Sequence, residues 1–137
     1  MLKIYLRLGV GLGFLTAVAD RFGLWAAENS AWGNWEIFVD STQALNPWWP
    51  VSIIPFVAAL ATACEFFFGL FILIGFKTEL FAKLSGWLLL IFALAIAFSS
   101  GIKGAFDYSV FAASGAAFAL SRLENKSYEI DVLFEKS

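Results

Sequence analysis

The sequence contains no histidine, a single cysteine (Cys64) and a single methionine at position 1. Each scarcity removes a class of chemistry. Haem iron takes axial His, Cys, Met or Tyr ligands, iron–sulfur clusters take several thiolates, and zinc takes Cys, His or carboxylate clusters. A four-ligand soft-metal site cannot be assembled from this composition, so neither haem, iron–sulfur nor zinc is expected. One cysteine also excludes an intrachain disulfide and a CxxC redox pair. Any electrons the protein handles must therefore reside on a bound organic molecule or on a partner. Charge is scarce too: 15% of residues are charged and 61% are hydrophobic. A water-soluble domain of 137 residues could not hide that much apolar surface. The net charge of −2, with no Lys/Arg cluster, gives no electrostatic footprint for nucleic acid.

The mean hydropathy is strongly positive, and the apolar residues fall in long runs. Crossing the hydrocarbon core takes roughly 20 apolar residues as a helix. Four runs approach this, at about 2–22, 51–75, 80–99 and 105–121. None shows two-residue alternation, so they read as helices. The expected architecture is all-α, one transmembrane domain over 1–137: a four-helix bundle with a polar surface tail at 122–137. Lys3, Arg7 and the apolar stretch ending Ala17-Val18-Ala19 imitate a cleavable signal peptide, but the segment is read as a retained first span. With four spans, Lys3, Arg7, Lys77, Lys83, Arg122, Lys126 and Lys136 share one side, and only Arg21 and Lys103 the other. That bias puts both termini in the cytoplasm of a bacterial-type inner membrane.

The connection from Arg21 to Pro50 carries Trp25, Trp32, Trp35, Trp48 and Trp49. Tryptophan favours the membrane–water interface. Trp32, Trp35, Phe38, Val39, Thr42 and Leu45 share one side of a helical wheel, with Glu36, Asp40 and Gln43 on another. This predicts a short amphipathic helix in the first extracytoplasmic loop, ended by Asn46-Pro47. It either lies on the outer interface or plugs the bundle mouth.

Glu65 stands mid-way along the second run. A carboxylate at the bilayer centre costs at least about 2.5–3.5 kcal/mol, so Glu65 must face protein. It is the candidate proton-handling residue, against a purely structural alternative. Ala58, Ala61, Thr62, Glu65 and Gly69 form a stripe that suits close helix packing. Arg7 either snorkels to the headgroups or reaches toward Glu65. Asp20 and Arg21 are expected at the same membrane face as Lys103, Asp107 and Tyr108, with Asp107 near the start of the last helix, where the macrodipole favours it. Gly9, Gly11 and Gly13 read as a close helix contact, and Cys64 as apolar filler.

Several of these segments resemble the DoxX-like family of small membrane proteins. Leu6-Arg7-Leu8-Gly9 with Gly13-Phe14-Leu15 is similar to its opening pattern, with the first glycine early. Glu65 through Thr78 resembles its "E-x-x-x-G-x-x-L-x-x-G-x-x-T" second helix and inner turn, and Gly104-Ala105-Phe106-Asp107-Tyr108 the start of its last helix. The long Trp-rich loop departs from short-loop members. The resemblance implies a four-helix membrane subunit tied to sulfur and quinone redox metabolism, as in the DoxD/DoxA thiosulfate:quinone oxidoreductase type, or to oxidative-stress enzymes. On that reading Glu65 is the catalytic candidate and Arg7, Asp107 and Tyr108 are polar groups around a quinone, with no metal ligands; Trp32 and Trp35, on the aromatic stripe of the loop outside the resemblance, would stack on its ring. The expected partners are the lipid bilayer and a redox enzyme or further copies of the chain. The other function class is a non-catalytic scaffold or anchor for a partner complex. For the topology, cysteines placed at Asn34 and Ser137 are expected to label from opposite sides of sealed vesicles, and labelling of both from one side would refute the four-span arrangement.

Overall fold

The structure is a computed structural model describing residues 1–124 and 128–134. Seven α-helices make up its regular structure, with two single 3-10 turns and no strand among the described residues. They are α1 (Leu2–Arg21), α2 (Trp35–Leu45), α3 (Ile54–Ile74), α4 (Thr78–Ser100), α5 (Ile102–Asp107), α6 (Val110–Leu120) and α7 (Asp131–Phe134). Three helices are long and apolar enough to cross a membrane: Leu2–Arg21, Val51–Ile74 and Thr78–Ser100. By length and composition this is a membrane protein. Large apolar side chains such as Leu12, Phe67, Trp87, Ile91 and Phe98 are exposed along these helices, which suits lipid as solvent.

The expected last span at 105–121 is not one helix. The chain leaves α4 through Gly101 at φ +95° and makes the short α5. It then breaks at Tyr108 and Ser109, where Ser109 adopts a left-handed φ of +56°. A left-handed residue takes the carbonyls and amides around it out of helical register. What remains, α6, has 11 residues and rises only about 16 Å, against a hydrocarbon thickness of about 30 Å. Asp107 consequently closes α5 rather than opening the last helix, and forms an exposed i,i+4 pair with Lys103 at 2.5 Å.

α1 lies along α3 and α4 along α6, while α3–α4 and α1–α6 contacts close the ring and α2 sits across α3 and α4. Missing side chains set how close the partners come. A Cβ on Gly11 would stand 2.6 Å from the Leu73 side chain and 3.1 Å from the Gly69 carbonyl oxygen, and one on Gly69 would stand 3.0 Å from the Gly11 carbonyl. The α1–α3 crossing is thus backbone against backbone. Gly86 does the same for α4 and α6, since a Cβ there would meet the Phe118 ring at 2.7 Å. Ser114 adds a 2.7 Å bond from its Oγ to the Gly86 carbonyl. Val10, Phe14, Ile72, Ala82, Ala117 and Leu120 fill the core near this level.

The end of the bundle holding the chain terminus is closed by polar contacts. α3 stops at Gly75, at φ +75°, the left-handed cap that glycine adopts without penalty. Arg7 is buried beneath it and caps the last turn. Its Nε donates to Ile72 O at 2.9 Å, its Nη2 to Leu73 O at 2.7 Å and its Nη1 to Tyr128 O at 3.0 Å. Residues 128–134 are not a loose surface tail but dock here. Glu129 is buried against Lys3 at 2.7 Å, the amides of Ile130 and Asp131 donate to the carbonyls of Ile74 and Gly75, and Asp131 accepts from the amides of Lys77 and Thr78 at the start of α4. Lys126, Lys136 and Ser137, used in reading the topology, lie outside the described residues.

The three N-terminal glycines separate cleanly in this geometry. Gly11 is in the crossing, whereas a Cβ on Gly9 or Gly13 would meet nothing within 4 Å. Gly11→Leu is expected to destabilise the fold by about 1–3 kcal/mol through overpacking. Gly13→Leu should leave thermal stability in detergent unchanged or slightly raised, because leucine is the better helix former. Equal loss from both would mean that the crossing is elsewhere.

A buried ion pair beneath an aromatic lid

Glu65 lies near the middle of α3 and is 2% exposed. Its partner is Arg21, the last residue of α1, at 2.5 Å from Arg21 Nη2 to Glu65 Oε2. Arg21 is 3% exposed. Its Nη1 also donates to Thr62 Oγ1 at 2.7 Å, and the Thr62 hydroxyl donates in turn to Ala58 O at 2.8 Å. The Arg21 Nε is buried and has no hydrogen-bond acceptor among the described residues.

The direction in which helical side chains leave the backbone explains how residues at different depths meet. Every Cα–Cβ bond tilts toward its own helix's N-terminus. α1 and α3 run antiparallel, so Arg21 at the end of α1 points back into the bundle and Glu65 points up toward the mouth. The two lean toward each other. From sequence Arg7, not Arg21, was weighed as a partner for Glu65, against snorkelling to the headgroups. Arg7 is instead committed to the carbonyls at the opposite end.

The roof over this pair is built from the first loop. Asp20 is buried next to Arg21 in sequence and gathers the chain around its carboxylate. It accepts from the Ser30 hydroxyl, from the amides of Ala31 and Trp32 at 2.8 and 3.2 Å, and from the amide of Gly33 at 3.2 Å. Gly33 supplies the positive φ of +76° that this wrap requires. Asn34 then caps α2, its side chain accepting from Ile37 N at 2.9 Å, and the helix ends at Asn46 as the Asn-Pro signal implied. Phe38 and Thr42 are buried and α2 packs on α3 and α4, so it plugs the mouth of the bundle. Its aromatic side covers the guanidinium, with Arg21 Cζ 3.9 Å from the Phe38 ring centre and 5.2 Å from that of Trp32. Those two rings meet edge to face at 5.2 Å. Cation–ring attraction of this kind is strongest where water is excluded.

Beneath the lid is a cavity of about 410 Å³, within the size range of small-molecule sites. Gly9, Gly13 and Ala17 line it on α1, and Ala61, Ala95 and Ala113 on the other helices. The polar groups on its wall are Arg21, Glu65, Thr42, Asn46 and Tyr108. Of the residues singled out from sequence, Glu65, Trp32 and Tyr108 come together on this cavity. Trp35 faces a separate outer groove, stacked on Phe22 at 5.7 Å. Arg7 closes the far end of the bundle and Asp107 is exposed beside Lys103. From sequence Asp20, Arg21 and Phe38 were expected at this mouth, but the pairing of Arg21 with Glu65 was not. The signals for the mouth were an acid–base pair ending the first span, and Phe38 on the loop helix's apolar side.

Comparison with protein-family models, with curated proteins and with solved structures found no match to this chain.

A buried charge without its partner is far costlier than the pair is beneficial. Glu65→Leu is therefore expected to destabilise the protein by about 3–5 kcal/mol by stranding the guanidinium. Glu65→Gln should also destabilise it, since a neutral amide supplies no counter-charge. Combining Glu65→Leu with Arg21→Met should recover most of the loss, measured as a double-mutant cycle of detergent melting. Strict additivity of the two single changes would refute the pair.

Proposed function

We propose that this chain is a DoxX-like membrane subunit that binds a quinone in the central cavity and works with a redox partner enzyme. The observation that carries the reading is the cavity: apolar walls over most of its length, and one polar end where Arg21 and Glu65 lie beneath Trp32 and Phe38. An amphipathic molecule with a flat polar ring and an apolar remainder matches that distribution. A free small ion would find little to hold it along these walls.

A quinone, when bound, supplies a ring that takes up two electrons and two protons; the electrons come from the partner, since this composition holds no metal centre. The chain's own residues would do three things. Arg21, through its Nε–H, would donate to a ring oxygen and fix its position. Trp32 and Phe38 would cover the ring and exclude water. Glu65 would hold or release a proton at its carboxylate oxygens when the ring's oxygens change their protonation. Thr62 orients the guanidinium for these roles, and Tyr108 offers a hydroxyl on the same wall.

The same reading treats α5, the bend and α6 as a fourth crossing, completing a four-helix transmembrane bundle in a bacterial-type inner membrane with both termini cytoplasmic. Non-helical backbone at membrane depth is tolerated where it lines a cavity rather than lipid, and Tyr108, at the bend, lines the cavity. The amphipathic α2 would then lie on the outer face.

The test is quinone retained by the purified full-length chain. Trp32→Ala and Phe38→Ala are expected to weaken retention by about threefold to tenfold, the scale of one aromatic contact. Trp35→Ala should weaken it less, because Trp35 lines the outer groove and meets the lid only through the Phe38 ring at 5.6 Å. Wild-type protein that retains no quinone, while remaining folded, would favour a non-catalytic scaffold instead.

A further inference from the structure

The cavity's shape says more about its occupant than its polar end does. On α1 the lining residues Gly9, Gly13, Ala17 and Arg21 follow one another at four-residue spacing, a run of about 18 Å along the helix. It is a narrow strip without side chains leading to a guanidinium. Gly9 and Gly13 also belong to the exposed surface, and a Cβ on either would meet nothing within 4 Å. Tyr108, at the bend between α5 and α6, lines the cavity and is 77% exposed. α1 and α6 are neighbours in the ring. The wall therefore reaches the surface at Gly9 and Gly13 on α1, beside the exposed Leu8 and Leu12, as well as at Tyr108 at the bend and at Ile91 on α4. At the far end Arg21 lines the cavity, and its Nε is buried with no acceptor among the described residues.

We propose that the cavity is a side-loading lipid site, in which the slot beside Gly9 and Gly13 takes a single hydrocarbon tail directly from the bilayer while the head reaches Arg21 and Glu65. The class of ligand is a one-tailed amphiphile with a small flat head. A water-borne solute would have to pass the lid of Trp32 and Phe38. The inference rests on the quinone reading for the identity of the head, and on the slot alone for the tail.

The experiment uses full-length protein in bilayers, in a form retaining Trp32 as its sole tryptophan. Two probes are titrated. A spin-labelled acyl chain reports tail occupancy by quenching Trp32, and a benzoquinone is compared with and without an isoprenoid tail. Gly13→Leu extends a side chain into the slot from a Cβ that has nothing within 4 Å; Gly115→Leu, equally open at its Cβ but away from the cavity, is the control. Gly13→Leu is expected to weaken the acyl-chain probe and the tailed quinone by about tenfold, to leave the tail-less ring within about twofold, and Gly115→Leu to change neither. Loss of tailed and tail-less rings alike would overturn the side-loading inference while leaving the quinone reading intact. Acyl-chain quenching that responds to Gly13→Leu, with no competition from either quinone, would support the slot and refute the quinone.

Discussion

In hydrocarbon, a charge has no solvent to fall back on, and the Arg21–Glu65 pair is where this protein meets that constraint. Glu65 stands near the middle of a long apolar helix, where an unpaired carboxylate is costly. Its partner comes from the far end of another helix, so α1 and α3 must lie antiparallel and close, in one register. The close approach is supplied by Gly11 against Gly69. Arg21 in turn must be kept from water, which calls for a roof; the roof has to be held, and Asp20 holds it by gathering four donors from residues 30–33. One buried acid thus sets the helix crossing, the loop conformation and the position of α2.

Small residues serve two opposite purposes here. Gly11, Gly69 and Gly86 permit contact; a side chain at any of them would collide with a neighbouring helix. Gly9 and Gly13 permit absence, because the space beside them is empty. The two uses alternate along the same turn and a half of α1, so a single glycine run carries both the tightest crossing and the loosest wall. In a bilayer, helix association depends on close contact rather than on water exclusion. A bundle can therefore hold itself together at a few glycine crossings and remain open between them.

Much of the helical plan was legible in the sequence, because length and hydropathy are sufficient to place long apolar helices. α1, α3 and α4 fall on the expected runs, and α2 ends at Asn46 as its Asn-Pro signal indicates. What hydropathy cannot see is a local backbone choice. The run from Ala105 to Ser121 is apolar throughout most of its length, yet Ser109 takes a left-handed conformation and divides it. The folding-back of residues 128–134 was equally hidden. It depends on Glu129 and Asp131 finding Lys3 and the start of α4, contacts across more than fifty residues that no periodicity records. Glu65 was recognisable as a carboxylate in the wrong solvent. Its partner was not, because the relevant quantity is the reach of a side chain along the helix axis, not the depth of its Cα.

The two buried arginines show why one end of the bundle is fixed and the other adjustable. Arg7 donates to the carbonyls of Ile72, Leu73 and Tyr128. The first two belong to the C-terminal turn of α3, where carbonyls lack intrahelical partners, and a backbone carbonyl there cannot turn away to another donor. That end is a closed floor. Arg21 is held by side chains, the Glu65 carboxylate and the Thr62 hydroxyl, and side chains can rotate; its Nε has no acceptor among the described residues. The rings of Phe38 and Trp32 attract the guanidinium without fixing its orientation, since a ring face offers no directional acceptor. A ligand oxygen arriving in the cavity could take a place beside Glu65 without unfolding any helix. The same residue type, used once on backbone and once on side chains, separates the part of the molecule that maintains the fold from the part able to respond to what enters it.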